Sequence, residues 1–160
     1  MEKISSHPPP ATIADPIRVL SGLNTSAPPR INNLFDDPID FFGLLDEITI
    51  GVVVLDLDRR IVVMNQTLKA LTGFNQKKLV GVACAQILRS DVCLQKCPAL
   101  IVHEASGPKC IEGNLVNRDR QLIPIRITSA PLKNLDGKMV GFLETVEDIS
   151  LLRKLDETIS

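Results

Sequence analysis

The chain is 160 residues long and carries a formal charge of −1, from 18 basic and 19 acidic side chains. That length suits one domain, and an apolar content of 44% lets it bury a core without disulfide staples. Balanced charge gives no basic surface for nucleic acid and no acidic tail, and with five Phe but no Trp or Tyr the chain lacks a stacking platform for single strands.

The N-terminal segment has three consecutive prolines, Pro8, Pro9 and Pro10, and no apolar region of the secretory kind. The longest apolar run, Ile50–Leu55, falls far short of the ~20 residues that cross a bilayer. The expectation is a cytoplasmic protein without a membrane partner. In that compartment clustered thiols are more often metal-binding or redox-active than disulfide-bonded.

Seven of the eleven prolines fall in the first 38 residues, so residues 1–36 read as a poorly ordered leader. Residues 37–149 form the expected domain. Asp37 suits an N-cap, Pro38 the first helical position, and Ile39, Phe42 and Leu45 recur at helical spacing, predicting an amphipathic entry helix. Gly51–Asp56 is short and β-branched, Asp58-Arg59-Arg60 turns it, and Ile61–Met64 returns as a hairpin. Asn65 caps a helix carrying Leu68 and Leu71, which Gly73 ends. Short helical pieces follow at 76–79 and 83–88, and 89–96 reads as a loop. Pro98 opens a longer helix to Ser106, stopped by Gly107-Pro108.

The last third is extended. Residues 109–117 alternate Ile111, Gly113 and Leu115, and in 123–128 Ile123, Ile125 and Ile127 share one face. Asp136-Gly137 is a hairpin signal before a final strand, Met139–Val146. Ser150 caps a helix over 150–160 in which Leu151, Leu152, Leu155 and Ile159 form an apolar stripe that calls for a partner surface. The order predicts an α+β fold, with a five-stranded antiparallel sheet, short helices over one face and flanking terminal helices. Space between sheet and helices makes a ligand chamber.

Several segments in that order carry a resemblance. Gly51–Asp56, Met64-Asn65, Leu71-Thr72-Gly73-Phe74 and Leu79-Val80-Gly81 do so in the first half. In the second half the turn 117–120, Ile123-Pro124-Ile125, Asp136-Gly137-Lys138, Val140-Gly141 and Glu147-Asp148-Ile149-Ser150 continue it. From Ile39 to the C-terminus the chain resembles a PAS domain, most closely the cysteine-bearing sensors attached to bacterial histidine kinases and sigma-54-dependent transcriptional activators. The resemblance implies a sensory or interaction module rather than an enzyme. It implies homodimerisation through terminal helices, Ile39–Leu45 and Leu151–Ile159, with the latter starting a signalling helix. A histidine kinase or sigma-54 activator domain would be the effector.

The four cysteines are spaced Cys84-x8-Cys93-x3-Cys97-x12-Cys110. Four thiolates match a structural zinc site or an iron–sulfur cluster in number, but neither the paired knuckles of zinc ribbons nor a ferredoxin spacing is present. Thiol–disulfide sensing by a subset and plain burial as small apolar residues stay open. The resemblance to four-cysteine sensory proteins favours an iron–sulfur centre on Cys84, Cys93, Cys97 and Cys110, reporting redox state or oxygen. The alternatives are zinc, haem b bound through His103, and no cofactor. His103 lies in the helix expected from Pro98, where related haem sensors place an axial ligand, although a lone exposed His is more often inert. A cofactor-free dimerisation module and a pocket for a small metabolite are the competing functions. Asp56, Asp58, Asp136, Glu144 and Asp148 read as turn formers and solvated edge residues, because no nucleophile or base is paired with them.

Overall fold

Alternation decides the sheet. A computed structural model describes residues 30–31, 37, 39–75, 78–103 and 106–160. It contains the strands β1 (Arg30–Ile31), β2 (Ile39–Asp40), β3 (Gly51–Asp56), β4 (Ile61–Met64), β5 (Lys109–Val116), β6 (Leu122–Lys133) and β7 (Met139–Asp148). β4-β3-β7-β6-β5 form one antiparallel sheet with β7 at its centre, and β1 pairs with β2 apart from it. The helices are α1 (Phe41–Asp46), α2 (Gln66–Thr72), α3 (Cys84–Ile87), α4 (Asp91–Gln95) and α5 (Ser150–Ile159), with a 3-10 turn at Pro98–Ile101.

β3 is apolar at every inward position because both of its faces are covered. Val53 and Leu55 join the main core, with Leu68, Leu88, Leu115, Ile125, Ile127 and Val146, under the helices. Val52 and Val54 pack with Leu45 and Val63 against Phe41 and Phe42 of α1 on the other face. A period-two strand between two layers reads as a continuous hydrophobic run.

Asn65 joins the layers and is 1% exposed. Its Oδ1 accepts from Val52 N at 2.8 Å and Leu68 N at 3.1 Å, while Nδ2 donates to the Leu45 and Ile50 carbonyls at 3.1 and 2.9 Å. One side chain therefore caps α2 and ties the α1–β3 loop to the sheet. Gly73 ends α2 in the left-handed region at φ 76°, as a Gly C-cap should.

Several expectations are corrected. The entry helix starts later, because Asp40 is the N-cap, accepting from Phe42 N at 3.0 Å, and Ile39 is used in β2 instead. The loop expected at 89–96 contains α4, capped by Ser90 and anchored by Asp91, whose Oδ1 accepts from Asn114 N of β5 at 2.8 Å. The long helix from Pro98 ends at Ile101, because Val102 turns extended and buries in the core. Lys78 and Leu79 are not helical, while residues 76, 77, 104 and 105 lie outside the described residues, as does the leader expected over 1–36 apart from Arg30–Ile31. β6 and β7 extend beyond the predicted strands, since the pairing between them supports backbone that alternation alone left unassigned. The start of α5 is held by Asp148 Oδ1, which accepts from Ser150 N at 2.8 Å, so Ser150 is not the cap.

Candidate functional site

The interior holds a polar cluster where the sequence pointed to an edge. Glu144 shares its face of β7 with Phe142 and Val146 and is only 2% exposed. Directly opposite in register on β6 stands Ser129, which is fully buried. Cys84 opens α3 above them, its Sγ 4.0 Å from Glu144 Oε2. Cys93 on α4 and Cys97, just before the 3-10 turn, are half-buried against the same core.

The chemistry of this cluster is set by dehydration. Burial pushes the Glu144 carboxyl up from 4.5 to about 7, with the Ser129 hydroxyl opposite pulling the other way. That hydroxyl is close enough to bias the carboxyl, yet neither Ser129 Oγ nor Glu144 Oε1 completes a hydrogen bond with good geometry among the described residues. The Cys84 thiol is driven far above its ordinary range, first by burial, then by the Glu144, Cys93 and Cys97 charges, with Arg59 opposing. Burial, then Glu144 and Cys97, push Cys93 from 9.0 to about 12, against a backbone hydrogen bond at Ser90. Cys84 and Cys93 are therefore held neutral, while Glu144 changes charge near neutral pH and both thiols feel that charge.

Cys110 is placed elsewhere. Ile111 of β5 packs on the core, so its neighbour Cys110 points to the opposite face, exposed and within electrostatic reach of Arg126. There Arg126 pairs with Glu112 at 2.8 Å and Glu147 at 3.4 Å. The structure thus brings Cys84 and Cys93 within electrostatic reach of Glu144 and of Cys97, and puts Cys110 on the other face of the sheet. Among the described residues no group of three or more His, Cys, Asp or Glu side chains has metal-holding geometry. The four cysteines as arranged do not fit an iron–sulfur or four-thiolate zinc centre. His103 is exposed and outside any helix, beyond the 3-10 turn, its N donating to Ser106 Oγ at 3.0 Å, so it does not sit on a helix facing the core.

Glu144 and Ser129 were missed by the sequence reading. The signal was available: Phe142, Glu144 and Val146 share a parity, as do Ile125, Ile127 and Ser129. The reading of Glu144 as a solvated edge residue is therefore corrected. Two recesses open at the periphery of the described residues. One, of about 390 Å³, lies beside α1 and β4 and includes Phe42, Val62 and Lys69. The other, of about 510 Å³, lies beside Phe74. No helix among the described residues is long and apolar enough to cross a membrane.

Comparison with known proteins bears on the whole arrangement. A family model described as "PAS domain" matches residues 49–151. No curated protein matches the chain by sequence. Among solved structures, a PAS domain from Colwellia psychrerythraea is similar, with a TM-score of 0.59 and 21% identity over 68% of this chain and 92% of that one. A PAS domain from a two-component sensor histidine kinase gives 0.54 and 9% identity over 67% of this chain and 91% of the other. The Vibrio cholerae VqmA dimer gives 0.57 and 18% identity over 68% of this chain and 49% of that protein.

Proposed function

The chain belongs to the PAS domain family, and from that premise we propose that it is a sensory module of bacterial signal transduction or transcription regulation, reporting redox state or oxygen through the thiols Cys84, Cys93 and Cys97. PAS domains are generally sensory or interaction modules rather than enzymes. The observation that carries the reading is the cluster itself: Cys84 and Cys93 beside a buried carboxyl that lacks a full set of partners, with Cys97 next to both thiols, on the strand that runs into the terminal helix.

Burial keeps Cys84 and Cys93 protonated and slow toward peroxide, so oxidation starts at half-buried Cys97. Peroxide converts that thiol to a sulfenic acid and leaves as water, adding a polar atom to a site packed to exclude water. Glu144 is the neighbour least able to absorb that change, since its Oε1 already lacks a partner. A shift of Glu144 moves β7, whose last residue, Asp148, holds the first turn of α5. The junction is stiff, because Ile149 N also donates to the Pro124 carbonyl of β6 at 3.0 Å. On α5, Leu151, Leu152, Leu155 and Ile159 are exposed by 70, 45, 51 and 84%, a stripe suited to a second protomer or an effector helix. A small bias between two packings of that helix is enough to signal. Homodimerisation through the α1 segment and α5, with a histidine kinase or sigma-54 activator domain as effector, completes the proposal. Cys110 has no part in this narrower centre.

The exposed stripe alone also supports a second reading, a cofactor-free dimerisation module. Hydrogen exchange of α5 separates the two. Protein purified without oxygen is assayed for iron, sulfide and zinc, then exposed to peroxide. Peroxide is expected to change exchange across 144–155 in wild type and in Cys110→Ser, but not in the Cys84→Ser/Cys93→Ser/Cys97→Ser variant. A metal-free protein whose exchange ignores peroxide sinks thiol sensing and leaves the dimerisation module.

A further inference from the structure

Phe74 follows the Gly73 cap and is 9% exposed. Two guanidiniums converge on its ring, Arg89 with Cζ 5.3 Å from the centroid and Arg118 at 5.8 Å. They come from separate elements. Arg89 lies between α3 and α4, where its Nε donates to the Gln86 carbonyl at 3.3 Å. Arg118 belongs to the β5–β6 turn, which is docked on the end of α2 by Arg118 N donating to the Thr72 carbonyl at 2.9 Å. Tertiary folding has therefore brought two cations to one ring.

Among the described residues neither cation has a carboxylate within ion-pair distance, whereas Arg126 on the far face has two. The ring attracts each guanidinium, but the two repel each other. An anion beside the ring would be attracted by both. Beside the ring opens the 510 Å³ recess lined by Phe74, Leu79, Val82, Gln86, Ile87 and Arg89. Its volume lies in the range of small-molecule sites, and four of its six lining residues are apolar. Arg89 stands at the recess as well as over the ring, so a headgroup held there leaves the rest of its molecule against the apolar wall.

We propose that this recess binds a small organic carboxylate, its headgroup held by Arg89 at the recess, with the charge of Arg118 on the same ring adding to the attraction, and its short apolar tail lying among Phe74, Leu79, Val82 and Ile87. Guanidinium forks match a carboxylate in shape as well as charge. The apolar lining selects an amphipathic acid over an inorganic anion, and the paired charges select it over a neutral alcohol. None of the three interior thiols lines this recess, so the site goes beyond thiol sensing and stands without it. It does share α3 with that centre, since Gln86 and Ile87 line the recess and Cys84 opens the same helix.

The test uses the full chain, isotope-labelled and followed by amide shifts, titrated in parallel with sodium octanoate, octanol and inorganic phosphate. Octanoate is expected to saturate shifts at Phe74, 82–89 and Arg118, with octanol and phosphate each about tenfold weaker or more. Arg89→Gln and Arg118→Gln should each weaken octanoate severalfold, and added salt should weaken it further. The Cys84→Ser/Cys93→Ser/Cys97→Ser variant should bind octanoate as wild type does, which keeps this outcome separate from that of the thiol proposal. Equal binding of octanol or phosphate, wild-type titration of both arginine variants, or shifts that map elsewhere would each overturn it.

Discussion

The two faces of one sheet treat the same residue types in opposite ways. On β7, Glu144 points into the core, where it is 2% exposed and one of its oxygens lacks a partner. Three residues on, Glu147 points outward and shares Arg126 with Glu112. The cysteines divide likewise, with Cys84, Cys93 and Cys97 on the helical side and Cys110 outside. The outer face solves its charges by pairing in water, where each pair is cheap to make and cheap to lose. The inner face holds the Cys84 and Cys93 thiols neutral by dehydration and lifts Glu144 to about 7, so that the carboxyl's charge responds to small changes around it.

Thiol alkylation puts the contrast to its hardest test. With Cys93 raised from 9.0 to about 12, its thiolate fraction falls by about a thousandfold at neutral pH. In native protein Cys110 should therefore label with iodoacetamide at least two orders of magnitude faster than Cys93, and Cys84 only on unfolding. Mass spectrometry of timed samples reads the order, and equal labelling of all four would erase the distinction between the faces.

The next effect is the pH dependence of stability. Folding raises the Glu144 pKa from 4.5 to about 7, so the folded state holds this proton more tightly than the unfolded one. The contribution is complete below pH 4.5, declines as pH rises and is gone above about pH 7, a span worth about 3 kcal/mol. Urea melts should show Glu144→Gln losing far less stability than wild type between pH 4.5 and 8. Glu147→Gln should follow the wild-type curve. Parallel curves for Glu144→Gln and wild type would mean that Glu144 meets water.

Gly113 tests the packing of the inner face. A Cβ there would collide with the side chains of Val92 and Asp91, so β5 and α4 touch only because the position is bare. Gly113→Ala should cost about 1–3 kcal/mol as overpacking, and should raise exchange in α4. The smallest effect belongs to the outer face. Arg126→Ala removes both ion pairs of an exposed cation and should leave the thermal midpoint unchanged within error.

Much of the fold was legible in the residues alone. β3, β4, α2 and the Asp136-Gly137 turn are where local chemistry put them, because alternation, an Asn cap and a glycine stop act over a few neighbours. Asn65 was legible as a cap, but its bonds to the Leu45 and Ile50 carbonyls were not, since they cross 20 and 15 residues. The segment from Cys84 to Val102 was least legible. Helices of four and five residues have no stability of their own, and α4 exists because Asp91 bonds to Asn114 and Val92 fills the core.

Sequence by itself determined the PAS-type order of elements, the apolar stripe of α5 and the presence of four thiols in 27 residues, because these are matters of spacing and composition. Tertiary structure alone decided which thiols meet. It sent Cys110 outward by the parity of β5, brought Cys84 and Cys93 to Glu144 with Cys97 beside them, and set two arginines from distant turns on Phe74. Side-chain parity is local, but what waits on each face of a strand depends on which element packs there, and that is settled only when the layers close.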